Sequence, residues 1–294
     1  PLVGRSKAGE VRVSTFHSFG LELLREHGRG DTSRGRFVIF DKGDALGLVR
    51  EILRSIYRRD ASKRFDPMAI LSRISNWKNA MVDPTAVPDS PHPYDAVALE
   101  VYPEYEDRLR AMRAFDFDDL ICRPVRLLRD DPALRDHWRN RIEHLLVDEF
   151  QDTSEVQLEL VRLLANERRS VCVVGDDDQS IYGWRGANVG NILEFETHFP
   201  GAKVIKLETN YRSRAPILEV ANAVISSGNG RRHEKRLRAA RTGGETVRRC
   251  TCDDPREEAR FVRREIARLR EEGLSLDKVA VLYRSNQQAR LIEE

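Results

Sequence analysis

The sequence predicts an α/β fold of parallel sheets with a helical insertion early in the chain. Two observations carry that reading. Short apolar runs at 144–147 (HLLV) and 170–174 (SVCVV) flank a helical pattern of Val156, Leu158, Leu160, Val161, Leu163 and Leu164. A strand–helix–strand order with strands apolar on both faces is the mark of a buried parallel sheet. From Asp44 to about Arg129, by contrast, the apolar residues fall at helical spacing, as in Leu46, Leu48, Val49, Ile52, Leu53 and Ile56.

The remaining elements follow in order. Residues 11–16 (VRVSTF) alternate and are β-branched, which predicts a short strand. A helix follows from Ser18, with Phe19, Leu21, Leu23 and Leu24 on its apolar side. Pro84, Pro88, Pro91 and Pro93 make residues 83–94 a loop between helices. Residues 203–207 (KVIKL) predict a strand that leads into a helix after Pro216, a residue whose missing donor suits a first turn. A helix over 257–271 and a buried strand over 279–283 (VAVLY) complete the pattern.

Composition bounds the function. The 294 residues hold 50 Lys+Arg against 48 Asp+Glu, a net charge of +2, and are 40% hydrophobic. That content excludes a disordered chain, and the length suggests about two domains. Any nucleic-acid affinity must come from local patches, not a global field. No apolar run approaches the ~18 residues of a membrane span, and the start, PLVGRSKAGE, lacks a signal peptide's apolar segment. Cys122, Cys172, Cys250 and Cys252 form no C-x-x-C pair, so they read as isolated reduced thiols of a cytoplasmic protein. The chain begins at Pro, not Met, and stops just after a strand-like run, so it reads as a piece of something longer.

The chemistry gathers at strand ends. Leu145-Leu146-Val147 runs into Asp148 and Glu149, and ligands of open α/β sheets bind beyond the carboxyl ends of strands. An Asp there can hold Mg²⁺, and an adjacent Glu can take the proton of an attacking water. A solvated loop would also end in acids, so the pair alone decides nothing. The continuation adds to it. After DEFQDT (148–153), the next strand ends in GDDDQSIYGWRGA (175–187). That brings Gln179, able to sense a γ-phosphate, near the acids, with Tyr182, Trp184 and Arg185 just downstream. Aromatics and Arg are the residue types that stack on single-stranded bases.

These segments, with LETNYRS (207–213), closely resemble the second, third and fourth motifs of superfamily 1 DNA helicases of the UvrD/PcrA/Rep type. TFHSFG (15–20) looks like that family's early DNA-contact motif, and ISNWKN (74–79) with FDFDDLI (115–121) leans toward Rep. The resemblance covers nearly the whole chain in the family's order. It implies a P-loop NTPase helicase core with RecA-like parallel sheets and an inserted helical subdomain. The first RecA-like domain would span 1–200, incomplete at its N-terminus, with the insertion at about 22–114; the second would start at 201–294.

The resemblance also assigns roles. Asp148 would hold Mg²⁺, Glu149 would activate water, and Gln179 would contact the γ-phosphate of ATP and couple hydrolysis to DNA. Tyr211 would stack on the adenine, and Arg212 would act as an arginine finger, a device worth ~10³–10⁵ in rate. Tyr182 and Trp184 would form the platform for single-stranded bases. Phe16 and His17 would line the same groove, with ordinary packing as the alternative. Arg185 would link platform and nucleotide, or is a plain surface Arg. The basic run Arg231, Arg232, Lys235, Arg236, Arg238 and Arg241 reads equally as a phosphate-backbone patch or as a solvated face. Asp116, Asp118 and Asp119 are explained by capping of a helix start, not by a metal.

No G-x-x-x-x-G-K-[ST] loop, nor even a Gly-Lys pair, is present. In the family that loop precedes TFHSFG, and a second arginine lies past the point where this chain stops. The expectation is a 3′ to 5′ single-strand translocase and helicase of repair or replication restart, with this piece inactive alone. Expected partners are ATP and single-stranded or partly duplex DNA, with repair or replication proteins and a homodimer left open. The competing reading is a non-catalytic single-strand-binding module. A recombination helicase–nuclease subunit is a further alternative, without a nuclease-like acidic cluster in view.

Overall fold

The computed structural model describes residues 11–27, 37–57, 64–88, 90–166, 170–228 and 230–293; the PLVGRSKAGE start lies outside them. The chain divides into two compact units. One comprises Pro1–Ile205 with Gly230–Glu234, the other Lys206–Asn229 with Lys235–Glu294.

The first unit opens on helix α1 (Phe16–His27), then β1 (Val38–Ile39), α2 (Lys42–Ile56), α3 (Pro67–Asn79) and α4 (Pro93–Ala111). Strand β2 (Ala114–Phe115), α5 (Asp119–Asp130), α6 (Pro132–Arg141), β3 (Leu145–Val147), α7 (Glu155–Leu164) and β4 (Val171–Val173) follow. Two short helices, α8 (Gly190–Leu193) and α9 (Phe195–His198), end it.

The strand expected at 11–16 does not form. The Thr15 hydroxyl accepts from the Ser18 amide and starts α1 instead, while Val11 and Val13 stand exposed with no partner strand among the described residues. α1 packs on α5 so closely that a Cβ on Gly20 would lie 1.7 Å from the Leu120 carbonyl oxygen. The helix runs past residue 22 to His27.

The helical insertion has its own core. Asp41 and Asp44 form a reciprocal capping box at α2, and Asp66 caps α3 ahead of Pro67. Val49, Ile52, Leu53, Ile70, Ile74, Val101, Tyr102, Tyr105 and Leu109 meet between α2, α3 and α4. β1 and β2 pair in parallel, Val38 with Ala114 and Ile39 with Phe115, and bracket this layer. Residues 83–94 are mostly the expected loop, with a 3-10 turn at Pro84–Ala86 and α4 starting at Pro93.

Lys78, at the end of α3, is buried among carboxylates. Its Nζ lies 2.8 Å from Asp116, 2.9 Å from Glu106 and 3.0 Å from Asp119. Burial alone would depress this ammonium, but Asp119, Asp116 and Glu106 outweigh it and hold the pKa well above the ordinary lysine value. The helix-start role of the FDFDDLI acids holds with a shift of register. Asp116, not Asp118, accepts from the Asp119 amide, and Asp118 instead accepts from Asn79.

β3 and β4 pair in parallel, with Leu145, Leu146 and Val147 opposite Val171, Cys172 and Val173. One face is covered: Val147 and Phe150 pack with Leu158 and Val161 of α7 and with Phe199. The other is open among the described residues. Leu146 is 73% exposed and its register partner Cys172 is exposed too, which corrects the expectation of strands buried on both faces.

In the second unit β5 (Thr209–Arg214) pairs in parallel with β6 (Arg238–Arg241), accompanied by α10 (Ala215–Ser226), α11 (Pro255–Glu271) and α12 (Asn286–Glu293). Neither 203–207 nor 279–283 is a strand. Both runs have strand composition but no pairing partner among the described residues, and Leu207 and Leu282 are among the exposed side chains. Cys250 and Cys252 are not isolated: their sulfurs are 3.9 Å apart. Among the described residues no helix is long and apolar enough to cross a membrane.

Candidate functional site

The parallel register of β3 and β4 delivers both strand ends to one edge. Asp148 and Glu149 leave β3 there, and Gly175 and Asp176 follow β4, stitched by Val174 N–H to Val147 O (2.8 Å) and Phe150 N–H to Val174 O (2.9 Å). Both acids are exposed. Asp148 Oδ1 accepts from the Glu149 amide at 3.0 Å. Glu149 sits in the left-handed region, φ 52° and ψ 41°. For a non-glycine residue that conformation costs about 1–3 kcal/mol and collects at functional sites.

A hydrogen-bonded chain runs from Glu149 to Gln179. Gln151 Nε2 donates to Glu149 Oε2 at 2.8 Å, and Gln151 Oε1 accepts from the Asp176 amide at 3.0 Å. Asp176 Oδ2 then accepts from Gln179 Nε2 at 2.8 Å. Gln179 rides on a 3-10 turn, Asp177–Gln179, whose N-cap is Asp176. Asp152, the residue after Gln151, has its carboxyl raised by burial and by Glu149.

Downstream, Tyr182 and Trp184 stand with ring centroids 6.5 Å apart and planes tilted by 46°. Arg185 lies over both, 5.2 Å from the Tyr182 centroid and 4.5 Å from that of Trp184. Arg185 therefore packs with both aromatic rings by cation–π contact. Trp184 is 71% exposed. Phe16 packs on the apolar clusters around β3 and α7. His17 meets Phe117 edge-on at 5.8 Å, and burial lowers its pKa. Packing thus occupies Phe16, and His17 has a ring partner.

Tyr211 and Arg212 belong to the second unit, on β5 beside a register irregularity between Asn210 and Arg214. Asn210 Oδ1 accepts from the amides of Arg212 (3.0 Å) and Ser213 (2.7 Å), a local turn that leaves the Tyr211 ring exposed. Two members of the basic run have acidic partners within the first unit. Arg231 pairs with Glu194 at 2.6 Å and Arg232 with Asp178 at 3.5 Å, while the His233 amide donates to Asp177.

The UvrD/REP helicase N-terminal domain matches residues 2–200, and the UvrD-like helicase C-terminal domain matches residues 205–294. The chain belongs to the UvrD/REP helicase family. Proteins named ATP-dependent DNA helicase PcrA, from Staphylococcus epidermidis and Staphylococcus aureus, are each 39% identical to it over 294 residues. The match covers 100% of this chain and 40% of each relative, so the chain spans 40% of the length of these relatives.

In a UvrD/REP helicase chain, the mixed helices and parallel strand pairs are those of a RecA-like helicase core. Inspection of the motifs missed the side chains that join them. Gln151 stands inside DEFQDT, and nothing in a neutral amide's identity announces what it bridges. Asn191 is buried and donates to Thr153 O (3.0 Å) and Ser154 O (3.2 Å), fixing the end of the same segment. For Gln151 the only sequence signal was its position within a motif, and Asn191, outside the motifs, carried none.

Proposed function

We propose that this chain is the nucleotide- and strand-handling part of an ATP-dependent DNA helicase that moves 3′ to 5′ along single-stranded DNA, in repair or replication restart. One observation carries the reading: two parallel strands in register end on Asp148-Glu149 and on the turn bearing Gln179, with the Tyr182–Trp184–Arg185 platform directly after. Phosphate chemistry and base stacking thereby share one edge of one sheet. Relatives of this chain are named ATP-dependent DNA helicases.

In this reading residues 1–200 and 201–294 belong to two RecA-like domains. Glu149 takes the proton of the attacking water, and Gln179 contacts the terminal phosphate. Tyr211 stacks on the adenine, and Arg212 stabilises transition-state charge. Phe16 and His17 border the strand path. Among the described residues no three or more His, Cys, Asp or Glu side chains are grouped to hold a metal. Mg²⁺ needs no such cage, since it keeps waters and rides on substrate phosphates with one or two carboxylates. The exposed Asp148 suits that role. When bound, the ion would neutralise charge on the phosphates.

The test is Glu149→Gln in the full-length protein. Hydrolysis should fall by about 10² or more, the scale of a lost general base, while binding of a fluorescent nucleotide persists. Unchanged turnover would refute the assignment. Nucleotide binding absent from the wild-type protein, with single-strand binding retained, would favour the non-catalytic binding module.

A further inference from the structure

Gln151 is 1% exposed, yet its carboxamide has both ends committed. Nε2 donates to the Glu149 carboxylate and Oε1 accepts from the Asp176 amide. The amide's orientation is forced, because the flipped form would set oxygen against carboxylate and NH₂ against N–H. Its backbone is engaged as well: the carbonyl accepts from the Ser180 hydroxyl at 3.3 Å.

Two further observations show a built feature. Gly175 has no room for a side chain: a Cβ there would lie 2.5 Å from Gln151 Oε1 and 2.8 Å from Ile192 Cδ1. The end of β4 is thus shaped around this one carboxamide. The platform segment is also clasped at both ends to the same stretch, Ser180 to Gln151 and the Asn188 amide to Thr153 O at 2.9 Å. A displacement of Tyr182 or Trp184 therefore pulls on Gln151, and Gln151 holds Glu149.

We propose that Gln151 is the positioning residue that couples the base-stacking segment to the Glu149 carboxylate, so that strand occupancy is sensed at the general base. This rests on the function proposed above, with Glu149 as base and Gln179 at the phosphate. Buried and with both carboxamide ends committed, Gln151 acts through its neighbours. It aims Glu149 through one hydrogen bond and the Asp176–Gln179 turn through the other. By reciprocity of linkage, the same connection makes nucleotide alter strand affinity.

Two variants in the full-length protein separate the two bonds. Gln151→Met keeps the volume and loses both. Gln151→Glu keeps an acceptor for the Asp176 amide and sets a carboxylate against Glu149. Both should lower kcat for strand-stimulated ATP hydrolysis roughly 10- to 100-fold, the scale of a lost hydrogen bond to a charged group, with KM for ATP little changed. The ratio of oligo-dT Kd with and without a non-hydrolysable ATP analogue should approach one in Gln151→Met. Hydrogen exchange at the Asp176 amide should quicken in Gln151→Met and stay slow in Gln151→Glu, a readout independent of turnover. Wild-type kcat and wild-type nucleotide–strand coupling in either folded variant would overturn the proposal. If Gln151→Met fails to fold, Gln151→Glu decides alone. Glu149→Gln in parallel tells the two readings apart: if it leaves turnover intact, the base assignment fails, and if only the Gln151 variants are silent, the coupling does.

Discussion

Trp184 holds a large apolar ring in solvent, stacked on one side by Arg185 and tilted toward Tyr182. Exposing an indole has a cost that a base stacked on it would offset, by about 1–3 kcal/mol per base. Trp184→Ala should therefore weaken oligo-dT binding in an anisotropy titration by about 5- to 100-fold. Strand-independent ATP turnover of the full-length protein should stay put, and a variant that binds the oligonucleotide as tightly as wild type would remove Trp184 from the platform. At this scale the sequence was most readable, since an acid, an amide or an indole carries its chemistry in its identity. Asp148, Glu149, Gln179, Tyr182 and Trp184 could be singled out for that reason. The unusual backbone of Glu149 could not, because a Glu in the left-handed region violates its own propensity and only the surrounding fold imposes it.

Among the elements, α3, α4 and α5 meet at Lys78, and their association should depend on pH in a defined direction. Burial, opposed by Lys78 and reinforced by Asp116, pushes the Asp119 carboxyl up to about 6. A carboxyl raised on folding stabilises most below its unfolded value of about 4, and that contribution is lost as pH climbs through about 6. Lys78, raised well above its ordinary value, keeps its contribution through the neutral range. Lys78→Met should therefore cost about 3–5 kcal/mol at pH 7, where Asp116, Asp119 and the half-buried Glu106 lose their shared ammonium and Arg123 remains only beside Asp119 and Glu106. Its melting deficit should shrink toward pH 5 as protons replace the ammonium, and a pH-independent deficit would contradict this account. Gly20→Ala should also destabilise by prising α1 from α5, seen as a lower midpoint in urea. Helices were legible because their periodicity is local, as the spacing of Leu48, Val49, Ile52 and Leu53 shows. Strands were not: 11–16, 203–207 and 279–283 have the right residues, but a strand exists only through its neighbours.

Over the whole molecule the burial is unequal. The first unit holds several apolar clusters, whereas Leu218 is the one buried side chain of the second among the described residues. Amide exchange of this 294-residue chain should thus be slow across α2–α7 and fast in α11 and α12; equal protection of both would contradict the burial pattern. Without a G-x-x-x-x-G-K-[ST] loop in its sequence, the same chain should turn over ATP far more slowly than the full-length protein in a coupled assay.

The five residues Gly230–Glu234 belong to the first unit although they are flanked in sequence by the second. The chain therefore passes from one unit to the other three times within thirty residues of Ile205. Dissection by a single cut is then impossible: a piece ending at Ile205 would lack Arg231, Arg232 and the His233 amide, the partners of Glu194, Asp178 and Asp177. A shortened protein meant to retain an intact Gln179 turn must run past Glu234, or carry those five residues on a graft.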